Sequence, residues 1–444
     1  MLSFFRIQNY RSILDMKVDF SYSEGKAPNN YQIFSKMPFL EISPKDKRNR
    51  FVPCMSIYGA NASGKTNIIK ALSTYRFIIK STNIQNCYFP NRLNNKYNTT
   101  IFELEIFIGS AKFKHLIEYD HREIKKESLL KDDKIIYEID NTSRSNERYN
   151  FNAVMNEQYN EEKIKNILSV ECSEKIENVY LQKRVFMSVI AEHYPGLSED
   201  IGTVFKGYYY HKMIYSSNDI AERMLRLLSD LKKSNEYVKD ISDRVSNIVH
   251  KFDIDILRIA PTTKHIEIKD KKLKGYYENF PKTIPRYSSF DPDKGTVRRD
   301  FIDSYHEDIN GQEIIFDMKR DESKGTNILF GLITEMLLAF NAGDILVIDE
   351  LDNSIHPLIL AKIIEMFKSK EYNKNNAQLI FTIHCADILD MDILRVSEVA
   401  LINKNLKSGS TFKRISDFEN VRNTADFRKM YLNGEFSGIP FPYI

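Results

Sequence analysis

The sequence predicts an α/β protein with a parallel core sheet, a small antiparallel sheet and a mainly helical insertion. The strand-like run "FVPCMSIY" (51–58) leads directly into a loop with two glycines and then into residues with helical apolar spacing. Two further apolar strands are predicted within 343–352 and 378–384, one closed by acidic residues and the other by a histidine. Apolar strands that alternate with helices predict a parallel sheet, with its functional groups at the C-terminal ends of the strands.

The chain is predicted to have three regions. Residues 1–145 contain the glycine loop and the antiparallel sheet. Alternating apolar and polar residues predict the strands of that sheet at 101–108, 112–119 and 133–139. Residues 146–312 are charged and Asn-rich, and they predict the helical insertion or lid. Residues 313–444 return to the apolar texture of the core, so they are expected to complete the domain that 1–145 begins.

The clearest helix of the insertion is predicted over 220–249. Apolar residues such as Leu228, Leu231 and Ile241 recur there at steps of three and four along a polar background. This stripe fits either the core of the lid or a short coiled-coil surface for a partner. Because the insertion departs most from the core, it is expected to carry partner specificity.

Composition and charge exclude several classes of protein. The chain has 444 residues, 42% hydrophobic and 28% charged, a balance typical of soluble globular proteins. A net charge of +3 is too small to indicate a nucleic-acid binder. The longest apolar run, Ile328 to Phe340, is interrupted by Thr334 and Glu335 and is too short to span a bilayer. We therefore expect a cytoplasmic protein with no membrane segment, whose four separated cysteines are buried thiols.

The loop at 59–66 has the spacing of a phosphate-binding loop, GxxxxGK[ST]. Such a loop wraps backbone N–H groups around a polyphosphate, and side chains at the glycines would obstruct it. Lys65 is expected to reach the β- and γ-phosphates and Thr66 to ligate Mg²⁺, at the positive end of the following helix. The candidate nucleotide-binding residues are Gly59, Asn61, Ala62, Ser63, Gly64, Lys65, Thr66 and Asn67.

Acidic residues follow the predicted strand Ile345–Ile348. Asp349 suits a direct or water-mediated contact with Mg²⁺, and Glu350 suits polarisation of an attacking water. His384, at the end of the next strand, suits contact with the γ-phosphate or with that water. The alternatives are a solvated acidic strand end and a structural histidine.

A second candidate anion site lies upstream, in "RDESKGTNILFGLITEML" (320–337). Ser323 and Gly325 precede an apolar helix, so they form a small-residue turn at a helix N-terminus. A chain that already has one phosphate loop would use such a turn on the nucleotide of a partner. The alternative is a simple helix cap by Ser323 or Thr326.

The order of these motifs is specific. The phosphate loop, "ESKGT", "VIDELDNSIHP" and the strand-final histidine resemble the ABC/SMC-class, AAA-type ATP-binding proteins related to RecF and to the OLD (overcoming lysogenization defect) family. The opening "FRIQNYRS" resembles the first strand of that group. The ending, from "KNLKSGS" to "GEFSGIP", is similar to the tail of its stand-alone members, which include ATPase subunits of the PARIS, Septu and retron-associated phage-defence systems. The resemblance covers 1–130 and 313–444.

This resemblance implies ATP and Mg²⁺ as ligands, ATP hydrolysis, and sites shared between two subunits. It implies catalytic roles for Lys65, Glu350 and His384, magnesium contacts for Thr66 and Asp349, and a nucleotide contact for Arg11. It also implies that a signature loop at Ser323 and Gly325 closes on the opposite subunit's ATP, and that Asp352 lies in the D-loop, a segment that contacts the other subunit. The signature departs from the double-glycine form of transporters, and no glutamine can be assigned as the Q-loop residue.

The resemblance also implies a homodimer, or a larger oligomer built from such dimers. An ATPase sensor or engine that controls a separate effector is the favoured function. Because the sequence shows no second acidic metal cluster, any nuclease is expected to be a separate partner. The alternative is a RecF-like, ATP-dependent DNA binder in repair, which would use basic patches at Lys271–Lys274 and Arg298–Arg299. A nucleotide-gated scaffold that hardly hydrolyses ATP differs only in its turnover.

Overall fold

A computed structural model gives the fold. The structure describes residues 1–22, 39–43, 49–80, 84–93, 96–143, 148–176, 179–210, 235–252, 254–267, 288–291, 296–405, 407–419, 421, 426–436 and 439. The first half of the helix predicted over 220–249, including Leu228 and Leu231, lies outside these residues, and the second half is a helix from Asn235 to Lys251.

The strands and helices follow the chain in the order below. The strands are β1 Leu2–Tyr10, β2 Ile13–Asp19, β3 Leu40–Glu41, β4 Arg50–Phe51, β5 Cys54–Tyr58, β6 Thr100–Ile108, β7 Ala111–Tyr119, β8 Ile124–Lys131, β9 Lys134–Asp140, β10 Tyr149–Asn150, β11 Ser173–Ile176, β12 Val179–Gln182, β13 Arg258–Glu267, β14 Ser288–Asp291, β15 Thr296–Glu307, β16 Glu313–Asp317, β17 Ile345–Ile348, β18 Gln378–Thr382, β19 Val399–Asn405 and β20 Gly409–Arg414. The helices are α1 Lys65–Lys80, α2 Glu161–Val170, α3 Phe186–His193, α4 Glu199–Tyr210, α5 Asn235–Lys251, α6 Met318–Asp321, α7 Lys324–Ala342, α8 Pro357–Phe367 and α9 Phe427–Leu432.

Contacts divide the chain into two units. Unit 1 is Met1–Tyr215, Phe340–Glu350 and Ala361–Ile444, and unit 2 is Ser216–Ala339 and Leu351–Leu360. Helices α2, α3 and α4 therefore pack with the N-terminal region, because they contribute apolar side chains to the same core as β1 and β5. The sequence-based boundaries at 145 and 312 stay a prediction of domain organisation.

One sheet of twelve strands forms the centre of unit 1, in the order β10-β9-β8-β7-β6-β1-β2-β20-β19-β5-β18-β17. The neighbours β19, β5, β18 and β17 are parallel, as expected for the core. The strands from β10 to β2 are antiparallel. They do not form a sheet of their own, because β2 pairs with β20 at Ile13 and Gly409 and so continues the parallel part.

Unit 2 contains an antiparallel sheet that the sequence pattern did not indicate. β15 pairs with β13 on one side and with β14 and β16 on the other. Helix α5 packs against β13, where the buried Ser246 Oγ accepts from the backbone N–H of Ile259 at 3.0 Å. The many charged residues in these strands hid their alternation from a reading based on apolar residues.

Helix α7 is both long and apolar. Over Lys324–Ala342 it is long and apolar enough to cross a membrane by length and composition, but 72% of that window is buried within the protein. Burial of this kind is what the core helix of a globular domain shows.

A buried ion pair joins the end of α8 to the residue before β19. β19 pairs with β5, the strand that leads into the glycine loop. Lys368 Nζ lies 2.5 Å from Glu398 Oε2, and the two side chains are 3% and 0% exposed. Glu398 also accepts from the backbone N–H of Arg395 at 2.7 Å, while its backbone carbonyl accepts from the Ser56 N–H at 2.8 Å. Burial raises the pKa of Glu398 above its ordinary value, against the lowering effect of Lys368.

We predict that Lys368→Met lowers the free energy of unfolding by about 3–5 kcal/mol, because it leaves the Glu398 carboxylate buried without its cation. The folded state then binds a proton more tightly than the unfolded state, so the loss should shrink as pH falls from 8 towards 5. Chemical denaturation at both pH values measures this. The control Lys368→Met/Glu398→Leu should recover most of the loss, and an equal loss in both proteins at both pH values would contradict the account.

Candidate nucleotide-binding site

The glycine loop has backbone angles that favour glycine at two positions. Gly59 has φ 151° and Gly64 has φ 110°, conformations that side chains rarely adopt. A Cβ at Gly59 would lie 2.5 Å from the carbonyl oxygen of Ile402, and one at Gly64 would collide with Ser410 Oγ. Ala62 is also left-handed, at φ 62°. The loop between β5 and α1 therefore follows a path that depends on glycine at the two positions the pattern specifies.

Lys65 is held at the mouth of this loop. Its side chain is 6% exposed, and Nζ donates to the carbonyl oxygens of Gly59 at 2.5 Å and Ala60 at 3.2 Å. Lys65 is also the first residue of α1, so its ammonium lies beside the positive end of a helix of 16 residues. A buried ammonium at this position suits an anionic ligand.

Four residues connect the loop with the ends of β17 and β18. Thr66 Oγ1 donates to Asp349 Oδ1 at 3.3 Å, and the buried Thr382 Oγ1 donates to the same oxygen at 2.5 Å. Thr382 Oγ1 in turn accepts from the backbone N–H of Glu350 at 2.7 Å. The structure thus brings together the predicted residues Thr66, Asp349 and Glu350, and it adds Thr382, which the sequence reading missed. A threonine inside an apolar strand gives no signal of its own.

Thr66 and Asp349 fit a magnesium ion. Their contacting atoms, a hydroxyl and a half-buried carboxylate oxygen, are the hard oxygen ligands that Mg²⁺ prefers. Two protein oxygens are also the usual number where substrate phosphates and waters complete the octahedron.

Glu350 and His384 lie at the same edge of the sheet. β17 and β18 are parallel neighbours, with Ile348 opposite Phe381, so the residues that follow them emerge side by side. Both side chains are exposed, and Glu350 has φ 54°, a strained backbone for a residue other than glycine. The placement is the one expected of a residue pair that meets a ligand, and the individual roles stay predictions.

The segment Asn9-Tyr10-Arg11-Ser12 organises the other side of the site. Asn9 is buried and left-handed at φ 53°, and its side chain donates to the carbonyl oxygens of Tyr97 at 3.1 Å and Thr99 at 3.0 Å. Tyr10 hydrogen-bonds to Thr74 of α1 through the two hydroxyls, 2.8 Å apart. Asn9 therefore anchors this segment to residues 97–99, and Tyr10 anchors it to α1.

Ser12 and Ser410 brace the loop from behind. Ser410 Oγ donates to the carbonyl oxygen of Ser63 at 2.6 Å and lies 2.7 Å from Ser12 Oγ. Ser12 Oγ accepts from Asn67 Nδ2 at 2.7 Å. These hydroxyls occupy the space that a Cβ at Gly64 would need. The sequence reading assigned no role to either serine, because nothing in the chain indicates a contact between residues 398 positions apart.

A cavity of about 630 Å³ adjoins the brace, with Ser12 in its wall. Arg11 lines it, and its guanidinium lies 4.6 Å from the ring centroid of Phe89. The cationic residues of the lining are Arg11, Arg92, Lys96, Lys404 and Lys407, and the described lining has no acidic residue. Arg11, predicted as a nucleotide contact, thus lies in a positively charged cavity beside the loop.

Unit 2 holds the remaining predicted residues. Ser323 Oγ accepts from the Thr326 N–H at 3.1 Å, so Ser323 caps α7, as one of the two sequence-based interpretations had it. A Cβ at Gly325 would lie 2.9 Å from the carbonyl oxygen of Ser354, so glycine allows α7 to approach the loop that contains Asp352. Ser323 is exposed. The candidate signature turn and the candidate D-loop therefore adjoin each other.

The side chains of the basic patches in the DNA-binding alternative are outside what the structure describes, so this alternative is not tested by them. Lys271–Lys274 lie outside the described residues, and the side chains of Arg298 and Arg299 are also outside them.

Comparison with known proteins gives the family. No curated protein matches the sequence. Similar solved structures include the SMC head domain from Thermotoga maritima (TM-score 0.42, 10% identity, covering 93% of this chain and 98% of that chain). They also include an SMC head bound to the C-winged helix domain of ScpA (0.38, 12%, 93% and 97%). A third is an SMC head domain with an extended coiled coil, bound to the C-terminal domain of ScpA derived from Pyrococcus furiosus (0.40, 11%, 98% and 99%). The family model described as "AAA domain, putative AbiEii toxin, Type IV TA system" matches residues 54–385, more than half of the chain, and the chain belongs to this AAA family.

Proposed function

We propose that the chain binds ATP with Mg²⁺ and hydrolyses it at a site that two copies of the chain share. The observation that carries this proposal is the hydrogen-bonded chain from Thr66 through Asp349 and Thr382 to Glu350. It joins the phosphate loop to the residues that suit a metal contact and a water-activating carboxylate, in one unit of the protein.

The loop binds and orients the triphosphate. Backbone N–H groups between Gly59 and Thr66 surround the β-phosphate, and Lys65 exchanges its carbonyl contacts for β- and γ-phosphate oxygens. Thr66 and Asp349 would hold Mg²⁺, which would supply neutralising positive charge at the phosphate oxygens. Thr382 keeps the Asp349 carboxylate in the orientation that this contact requires.

Glu350 acts on the nucleophile. A water oxygen attacks the γ-phosphorus, its proton passes to the Glu350 carboxylate, and the bond to the bridging oxygen breaks to give ADP and phosphate. The Thr382 hydroxyl fixes the Glu350 backbone in its strained conformation, so the carboxylate is positioned before the ligand arrives. His384 emerges at the same edge and orients the water or the γ-phosphate.

The nucleoside lies on the side of the loop away from Asp349. Thr66 faces Asp349, whereas the next residue, Asn67, hydrogen-bonds to Ser12 in the wall of the basic cavity. A triphosphate with its γ end at Glu350 therefore directs its α end and ribose towards this cavity. There the Arg11 side chain, stacked on Phe89, contacts the α-phosphate or the base.

The signature turn completes the site of a second copy. Ser323 is exposed at the N-terminus of α7, a helix of 19 residues whose positive end suits a phosphate. Asp352 lies in the loop that Gly325 approaches, so the two candidate inter-subunit elements form one surface of unit 2. In a two-fold dimer each such surface closes on the other subunit's ATP, and ATP stabilises the interface.

The biological role that we propose is that of a cytoplasmic ATPase sensor or engine in a bacterial anti-phage system, acting on a separate effector protein. The motif order, which resembles the stand-alone ATPases of such systems, supports this role. The description of the matching family, which names a toxin–antitoxin system, is in keeping with it.

Lys65→Ala should abolish ATP binding at working concentrations. It removes one charge-assisted phosphate contact and part of the loop geometry, a loss on the order of 2–4 kcal/mol. Titration of a fluorescent ATP analogue measures the affinity, and Lys80→Ala, at the far end of the same helix, is the matched control. An affinity within threefold of the parent protein would contradict the assignment of the loop.

Thr382→Val should weaken ATP binding about tenfold in the presence of Mg²⁺ and leave the weaker, Mg²⁺-free binding unchanged. The valine keeps the shape of the side chain but removes the hydroxyl that holds Asp349 and Glu350, an effect of about 1–2 kcal/mol. Nucleotide titrations with and without Mg²⁺ measure the difference. Thr382→Ser, which keeps the hydroxyl, should behave like the parent, and equal behaviour of the valine and serine proteins would count against the role of Thr382.

Glu350→Gln should bind ATP, stall hydrolysis and hold two subunits together for longer than the parent protein does. Adding Ser323→Arg should prevent this closure, because bulk and charge then stand where the partner's phosphate must lie. Fluorescence transfer between labelled subunits, with and without ATP, measures closure. The shared-site proposal fails if transfer in Glu350→Gln is insensitive to ATP, or if the double variant closes equally well.

A further inference from the structure

Unit 2 presents an exposed apolar strand directly before the signature turn. β16 lies at an edge of its sheet and, among the described residues, pairs only with β15. Its apolar residues are exposed on both faces: Ile314 is 42% exposed, Ile315 is 57% and Phe316 is 37%. The turn that precedes β16 adds a fully exposed Ile309. Unpaired edges with apolar side chains are regularly covered by another chain.

The same region is strongly acidic. Residues 307–322 include six acidic side chains and two basic ones. Glu307 and Glu313 stand directly opposite each other in the β15–β16 ladder, an arrangement of like charges that destabilises an isolated strand pair. Arg258 pairs with Glu313 at 2.9 Å, so Arg258 compensates one of the two carboxylates. We call residues 307–317 the acidic edge.

Unit 1 presents a surface of the opposite charge around the cavity beside the phosphate loop. Its exposed cationic side chains, which we call the basic rim, are Arg92, Lys96, Lys404 and Lys407. Two apolar side chains stand among them: Leu93 is 79% exposed and Phe89 is 39% exposed. The rim therefore combines the charge and the apolar groups that complement the acidic edge.

We propose that the acidic edge of one copy docks on the basic rim of a second copy. This inference rests on the proposed shared site and names the surface that holds it closed. The Glu307 carboxylate gains a cationic partner, Glu313 gains a second cation beside Arg258, and Ile314, Ile315 and Phe316 cover Leu93 and Phe89. Because the rim surrounds the cavity proposed for the nucleoside, the docked edge shields the nucleotide from solvent on that side.

A charge exchange between the surfaces tests the proposal. In a Glu350→Gln background, one protein carries Glu307→Lys and Glu313→Lys, and a second carries Arg92→Glu and Lys407→Glu. Nucleotide affinity and thermal unfolding are measured first for each protein, and ATP is then supplied well above the weakest affinity. Analytical ultracentrifugation with Mg²⁺ and ATP gives the dimer dissociation constant of each protein alone and of their equimolar mixture.

Each exchanged protein alone should dimerise at least tenfold more weakly than Glu350→Gln, because like charges then face each other at both contacts of the two-fold dimer. The mixture should recover to within about threefold, since both contacts of the mixed dimer again join opposite charges. The differences between these dimer dissociation constants should become smaller at high salt, because screening weakens exposed charge pairs. The matched control, Lys134→Glu with Lys175→Glu, reverses the same number of exposed cationic charges away from the cavity and should have no effect on dimerisation.

Two results would overturn the proposal. Either exchanged protein could dimerise as tightly as the parent, or the mixture could stay as weak as its components. A parent Glu350→Gln protein that does not dimerise with ATP would instead contradict the shared site itself, so the two failures are distinguishable.

Discussion

The phosphate loop depends on a contact between two segments that lie far apart in the sequence, at Ser12 and Ser410. Ser12, from the first hairpin, and Ser410, from the last, hydrogen-bond to each other and to the loop at Ser63 and Asn67. Their hydroxyls occupy the space that a Cβ at Gly64 would need, so glycine is required there for packing as well as for its backbone angle. A loop whose backbone is held in this way needs little reorganisation to accept a phosphate, as the proposed function requires.

The other side of the site is held by one hydroxyl at the end of a buried strand. Thr382 connects the carboxylate of Asp349 with the backbone of Glu350, and the left-handed conformation of Glu350 is maintained by that bond. Two neighbouring acids would repel each other if both pointed at one ligand. In the proposed function the strained residue directs the two carboxylates apart, one towards the metal and the other towards the water.

Much of this was readable from the sequence, and the misses have physical causes. The loop spacing, the acids after β17 and the capped turn at Ser323 are local patterns, in which the residue types themselves state what the backbone must do. Thr382 and Ser410 were missed because a single hydroxyl acquires its role only from a distant partner. The strands β13 to β16 were missed because their charged residues conceal the alternation, and those charges are the basis of the acidic edge.

The central claim is that one ATP contacts two copies of the chain. A structure of Glu350→Gln determined with Mg²⁺ and ATP tests it most directly. The account predicts a triphosphate in the loop with Lys65 on its β- and γ-phosphates, Mg²⁺ against Thr66 and Asp349, and Ser323 of the partner subunit on the γ-phosphate. An ATP whose phosphates are contacted by one subunit alone, or one bound away from Lys65, would contradict it.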